Sequence, residues 1–218
     1  MRRLSRGSLP QYPGSLRYHD GLFWEFHDIS ARNEPGLRST RPWEAREDMN
    51  EIAALFRRLS VGVYVIGVTD GERRGAFTAA WVTQVSFDPL LVVVSVNPRN
   101  ASYAILRAGG AFTVNVLTHG QIELARRFGT FSSRDQDKLA GVPWHPGGNG
   151  APVLDDALAY FECDLQDRHP AGDHELVVGR VVGGRILDPD AVPMLYAETG
   201  DMDGSSALYR VPWPRGTA

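Results

Sequence analysis

Cysteine is nearly absent from this sequence. Cys163 stands alone, so an internal disulfide and any cysteine-based metal cage are excluded. Lysine is as scarce: only Lys138 among the 23 basic residues is not arginine, which removes Schiff-base chemistry from every other position. No apolar run approaches the ~20 residues that a bilayer span requires. The start, Met1-Arg2-Arg3-Leu4-Ser5-Arg6, meets Gly, Pro and charge where a signal peptide needs an apolar stretch. Neither charge dominates. With 23 basic against 26 acidic side chains, a net charge of -3 and a pI near 6.1, nucleic-acid and membrane-surface partners are disfavoured. A soluble cytoplasmic protein is the expectation. Catalytic signatures are missing too: no Gly-x-Gly-x-x-Gly, no Gly-Lys-Ser/Thr loop, no His-Glu-x-x-His and no nucleophile elbow. His19, His27, His119, His145, His169 and His174 show no close metal-ligand spacing, and no metal is expected. Such a chain suits an enzyme whose cofactor carries the reactive chemistry.

What is present divides unevenly. The 218 residues fit one domain, or one domain with an appendage. Residues 1–41 hold seven Arg against four acids, a balance of +3, which leaves -6 for the rest. Residues 1–47 read as an Arg-rich, partly ordered extension, with an aromatic cluster around Phe23-Trp24 suited to docking on the body or on a partner subunit. Regular structure begins at Asp48, whose spacing to Glu51 has the form of a capping box before a helix carrying Ile52, Leu55, Phe56 and Leu59. Val61–Thr69, Ala76–Ser86, Leu90–Val96 and Ala111–Leu117 read as strands, with further strands near Tyr160–Gln166 and Glu175–Val182. Short helices are expected over Asn100–Ala108 and, behind a Thr118/Gln121 cap, up to Phe128. Strands with few helices, closely spaced turns and no βαβ rhythm favour a mainly β (α+β) barrel over a doubly wound sheet. The main domain is drawn over 48–210, followed by a tail over 211–218.

Two stretches look suited to an anion and a flat polar ring. The run Asn97-Pro98-Arg99-Asn100-Ala101-Ser102 joins a strand end to a helix start. Free N–H groups, the Arg99 fork and the Ser102 hydroxyl there would all attract a phosphate. Helix capping beside a solvated arginine is the plainer account of the same residues. Thr78-Ala79-Ala80-Trp81-Val82-Thr83 continues into Gln84-Val85-Ser86, and its small and hydroxylated residues let a planar ligand approach the backbone. An ordinary strand with a wet face remains the alternative. Cys163, in the alternating run Phe161-Glu162-Cys163-Asp164-Leu165, reads as a buried structural thiol.

These runs, taken in order, resemble a known family. Gly75-Ala76-Phe77-Thr78-Ala79-Ala80-Trp81-Val82-Thr83-Gln84-Val85-Ser86-Phe87-Asp88-Pro89-Leu90 is similar to the flavin reductase-like FMN-binding split barrels. So are Val94-Ser95-Val96-Asn97, Ala111-Phe112-Thr113-Val114-Asn115-Val116-Leu117, Leu124-Ala125-Arg126-Arg127-Phe128, Gly141-Val142-Pro143-Trp144, Pro152-Val153-Leu154 and Gly172-Asp173-His174. The likeness covers about residues 50–200. It implies a homodimeric, six-stranded FMN-binding split β-barrel with Greek-key topology and short flanking helices. The cofactor would be FMN, with FAD possible, and NADH or NADPH the co-substrate.

By that resemblance, Thr78, Ala79, Ala80, Trp81, Val82 and Thr83 run along the flavin ring, and Ser95, Val96, Asn97, Arg99, Asn100 and Ser102 lead toward its phosphate. His174 would face the nicotinamide, with a turn histidine capping the next strand as the alternative, and Asn115 would be structural. Arg134 and Lys138, in a polar loop, are weaker candidates for the dinucleotide. Two positions depart from the family pattern: Trp81 stands where many relatives carry Ser, and Leu90 where they carry a second Pro. The implied activity is hydride transfer to flavin, with reduced flavin passed to an oxygenase partner. An FMN-binding electron carrier, or an oxygenase that keeps its FMN, is the alternative.

Overall fold

The computed structural model describes residues 49–130 and 137–209. The expected extension over 1–47, the Asp48 cap, Arg134 and the tail over 211–218 lie outside the described residues. The chain divides into a unit over 1–45 and a unit over 46–218, and every described residue belongs to the second.

Nine strands and three α-helices follow in order among the described residues: α1 Met49–Phe56, β1 Tyr64–Thr69, β2 Arg74–Ala79, β3 Val82–Phe87, β4 Leu90–Val96, α2 Tyr103–Gly109, β5 Ala111–Val116, α3 Ile122–Thr130, β6 Trp144–Pro146, β7 Pro152–Leu154, β8 Ala159–Ala171 and β9 His174–Ile186. Seven of the strands form one antiparallel sheet in the order β2-β1-β5-β8-β9-β4-β3, with β6 and β7 as a separate pair. The main sheet therefore has seven strands where six were expected. The additional strand comes from the run Ala76–Ser86, which is broken at Ala80-Trp81 by a γ-type turn in which the Val82 N–H donates to the Ala80 carbonyl (3.1 Å). Continuous apolar and hydroxyl content hides that break in the sequence.

The break has a topological consequence. β2 and β3 stand at opposite ends of the sheet order, yet only Ala80 and Trp81 separate them. The two outer strands of the sheet therefore come together at that corner. One apolar cluster on one face of the sheet holds Ile66 and Val68 of β1, Phe77 of β2, Val92, Val94 and Val96 of β4, Phe112 and Val114 of β5, Cys163 of β8 and Val177 of β9. The alternate residues of the same strands face the other way: Val65 and Ala76 join Ala125 and Phe128 of α3, with Leu154 and Met194, in a second cluster. Strand alternation thus explains why β1, buried at five of its six positions, reads as a continuous apolar run rather than an alternating one. Burying a side chain such as Phe112 or Phe128 fully contributes on the order of 1.5–3 kcal/mol, and both are inaccessible to solvent.

Two polar features fix how β7 docks on this sheet. Gly67 lies so close to β7 that a Cβ there would sit 2.2 Å from the Pro152 carbonyl oxygen. Asn115, fully buried, donates to the carbonyls of Val65 (2.9 Å) and Pro152 (3.3 Å) and accepts from the Leu154 N–H (2.9 Å). Its role is structural, as expected.

Candidate active site

The corner between β2 and β3 gathers three elements. Strand β4 passes beside it, and the Ser95 N–H donates to the Trp81 carbonyl at 2.9 Å. The β8–β9 hairpin reaches the same place. Its turn is Gly172, at φ +65°, with Asp173, and it delivers His174 to a ring–ring distance of 5.0 Å from Trp81, tilted by 52°. A left-handed φ is what makes glycine the natural residue at that turn. The loop after β4 completes the set. Asn97 Oδ1 accepts from the Arg99 N–H (3.0 Å), Asn100 Oδ1 accepts from the Ser102 N–H (3.0 Å), and the Asn97 carbonyl accepts from the Asn100 N–H (2.9 Å). These Asx turns set the loop geometry without external help.

Electrostatics at the corner are specific. His174 Nδ1 lies 2.9 Å from an Asp173 carboxylate oxygen, with the His174 side chain 19% and the Asp173 side chain 85% exposed. The hydrogen bond and charge of His174, with a further contribution from the Arg99 cation, hold the Asp173 carboxyl below its ordinary value. An ionised Asp173 accepts from Nδ1–H, which leaves Nε2 as the ring nitrogen outside that bond. Trp81 is 50% exposed beside it. Among the described residues, no backbone carbonyl accepts from the Ala80 or Trp81 N–H. The corner therefore offers two backbone donors, an exposed aromatic face, an oriented imidazole and the exposed Arg99 within one neighbourhood.

Placement of the expected residues is uneven. Trp81, Ser95 and His174 are brought into direct contact or hydrogen-bond linkage, with Arg99 close enough to act on Asp173. Ala79, Val82 and Val96 are buried or half-buried and contribute backbone only. The Thr78 hydroxyl turns to the opposite side, where it donates to the Ala125 carbonyl of α3 (2.7 Å), while Thr83 is exposed on β3.

Ser102 is fully buried, and its hydroxyl donates to the Ala76 carbonyl (3.3 Å), tying α2 to β2. Gly75 leaves room for that hydroxyl, since a Cβ there would stand 3.0 Å away. Lys138 is a correction. It is buried, and Nζ donates to the Phe128 carbonyl (2.8 Å) near the C-terminal end of α3. That bond satisfies a helix carbonyl that the helix itself leaves unpaired, so this lysine serves α3 rather than a dinucleotide. Asp173, not among the expected site residues, orients His174, and its adjacency to that histidine is the signal the sequence carries for it.

A planar, phosphate-bearing flavin fits these residues. The free N–H pair suits a polar ring edge, the exposed Trp81 suits an apolar face, and the self-supporting Asn97–Asn100 loop presents Arg99 to an anion.

Comparison with known proteins follows the same lines. Residues 56–205 match the family described as the flavin reductase like domain. A diflavin flavoprotein of a Synechocystis strain is 34% identical over 148 residues, which is 67% of this chain and 26% of that protein. The chain spans between about a quarter and a third of the length of the curated relatives it matches first. Among solved structures, an NADH:FAD oxidoreductase of Streptomyces globisporus superposes with a TM-score of 0.64 at 30% identity, over 70% of this chain and 90% of that one. A homolog of nitrilotriacetate monooxygenase component B from Mycobacterium thermoresistibile gives a TM-score of 0.59 at 31% identity, over 68% and 84% of the respective chains.

Proposed function

This chain belongs to the flavin reductase like domain family, and on that premise we propose that it binds FMN, or FAD, at the β2–β3 corner and reduces it with NADH or NADPH. The observation that carries the reading is the meeting of Trp81, the Ser95–Asn100 loop and the Asp173–His174 pair at one corner. A bound flavin would supply the two-electron acceptor, which no side chain here can provide. The chain supplies position and electrostatics. The Ala80 and Trp81 N–H groups are donors for a ring edge that gains negative charge on reduction, and fixed dipoles of this kind cost no reorganisation. Arg99 pairs with the phosphate as a planar fork. His174, oriented through Nδ1 by Asp173, positions the nicotinamide with Nε2, and most of the rate gain comes from holding two flat rings in register.

The rolled sheet closes as a split barrel with Greek-key topology, in a domain over 48–210 that excludes the extension over 1–47 and the tail over 211–218. Exposed Phe87, Phe161, Val182 and Ile186 offer apolar surface for a homodimer. Reduced flavin passes to a partner oxygenase, the arrangement suggested by the likeness to a monooxygenase component B homolog. The test is oxidation of NADH or NADPH by purified protein with FMN or FAD, followed at the nicotinamide absorbance. Turnover above the free-flavin background is expected, and none with either donor removes the reading. The likeness to a diflavin flavoprotein favours a second reading, a carrier or oxygenase that keeps its flavin. Tight flavin co-purification without nicotinamide oxidation selects it.

A further inference from the structure

His174 is the first residue of β9, and it stands beyond the reach of the β4 ladder. The β4–β9 pairing ends at Val96 opposite Glu175, so His174 is paired only across its own hairpin, to Ala171. An exposed hairpin end of this kind opens easily unless something else anchors it. The anchor is on the other face of the strand. Successive residues of a strand point to opposite faces, so while the His174 ring meets Trp81, the Glu175 side chain turns away from it. There the Tyr103 hydroxyl donates to Glu175 Oε2. Arg168 of β8 closes the set, with Nη1 donating to the Tyr103 oxygen (3.2 Å) and to Glu175 Oε2 (3.4 Å).

Tyr103 is well placed for this. Its ring is 2% exposed and packs into the first apolar cluster, so the hydroxyl emerges from a fixed base. It is also the first residue of α2, and its N–H donates to the Asn100 carbonyl at 3.0 Å. One side chain therefore connects the end of the Asn97–Ser102 loop to the residue next to His174. Arg107 lies over the same ring, 5.9 Å from its centre, and adds a cation–π contact to the anchor.

We propose that Tyr103 and Glu175, braced by Arg168, are positioning residues that latch the β8–β9 hairpin to α2 and thereby set where the His174 ring stands relative to Trp81 and the Arg99 loop. The functional consequence rests on the role given to His174 above, while the latch itself is a property of the chain without cofactor. Removing the hydroxyl by Tyr103→Phe leaves the aromatic packing in place and takes away both of its hydrogen bonds. The hairpin end then loses its tie to α2, and the imidazole samples a wider range.

The test uses the full chain without flavin, carbon-labelled at histidine, with the His174 ring signals assigned from a His174→Gln spectrum. Tyr103→Phe is expected to shift or broaden the His174 signals while those of His119 and His145 stay where they are. In the flavin-loaded protein the same variant raises KM for the nicotinamide donor by about tenfold, with flavin affinity nearly unchanged, as loss of hydrogen bonds to a charged group implies. Unmoved His174 signals in folded Tyr103→Phe protein overturn the latch, whatever the turnover. If that variant does not fold, Arg168→Met at the rim of the latch takes its place with the same two outcomes. Wild-type protein that oxidises no NADH or NADPH, together with moved His174 signals, removes the reductase reading and leaves the latch supported.

Discussion

His174 and Cys163 show how differently two reactive residue types can be used in one fold. The imidazole is oriented through Nδ1 by an ionised neighbour and stands 5.0 Å from an exposed indole. On the proposed reading, replacing it by alanine removes the group assigned to the nicotinamide side while sparing the residues assigned to the flavin. His174→Ala should therefore lower kcat/KM for NADH or NADPH by about tenfold or more while FMN affinity changes far less. Parallel flavin titration and steady-state kinetics check this, and equal losses in both would place the residue elsewhere. Cys163 is the reverse case. Burial, followed by the charges of Asp164 and Glu162, pushes its thiol up to about 12, so little thiolate forms below that pH. Iodoacetamide should leave the folded protein unmodified at about pH 8 and alkylate one thiol per chain after unfolding.

Individual elements explain what the sequence could and could not disclose. Strands β4 and β5 are legible because β-branched runs end at clear punctuation, Asn97-Pro98 after β4 and Gly109-Gly110 before β5. The full 13-residue length of β8 and of β9 is hidden, because Asp167, Arg168, His169 and Pro170 look like loop residues. They are strand residues all the same, since cross-hairpin pairing continues out to Ala171 and His174 beyond the point where packing against the core ends. Backbone pairing together with the Tyr103, Glu175 and Arg168 contacts, rather than burial of the strand ends, holds that end, and local composition carries no signal for either. Ser102 makes a related point: its local sequence suits an anion site, while its bond to the Ala76 carbonyl depends on the packing of α2 beside Gly75 of β2, which local sequence does not carry. Gly67 carries a prediction of the same kind. Its Cβ space is taken by the Pro152 carbonyl, so Gly67→Ala forces β7 away from β1 and should cost about 2 kcal/mol or more. Denaturant unfolding measures that loss, and an unchanged midpoint would contradict the docking described for β7.

At the scale of the molecule, β2 and β3 meet at one corner although they are the outer strands of the sheet, and that corner is where the proposed site lies. The corner is assembled from segments distant in sequence, β2–β3, the loop after β4 and the β8–β9 turn, and topology rather than local pattern brings them together. No described helix is long and apolar enough to cross a membrane. Surface carboxyls add a pH dependence. Asp70 is held below its ordinary value chiefly by the Arg73 N–H, Asp173 by His174, Glu198 by the Leu195 N–H and Asp201 by the Ser206 hydroxyl. A depressed carboxyl contributes stability that is complete above its unfolded pKa and is lost as pH falls through its folded one. Thermal midpoints should therefore hold down to about pH 5 and decline below about pH 4. A midpoint that is flat to about pH 3 would show these contacts contribute nothing.

The central claim is that this corner brings a flavin and a nicotinamide donor together for hydride transfer. Anaerobic mixing of the purified chain with FMN or FAD and NADH or NADPH tests it most directly, with the flavin's visible absorbance as the readout. The account predicts that the wild-type chain bleaches the flavin well above the protein-free rate with at least one donor, and that His174→Ala is slower. Bleaching no faster than the protein-free mixture with every flavin and donor pair would contradict it.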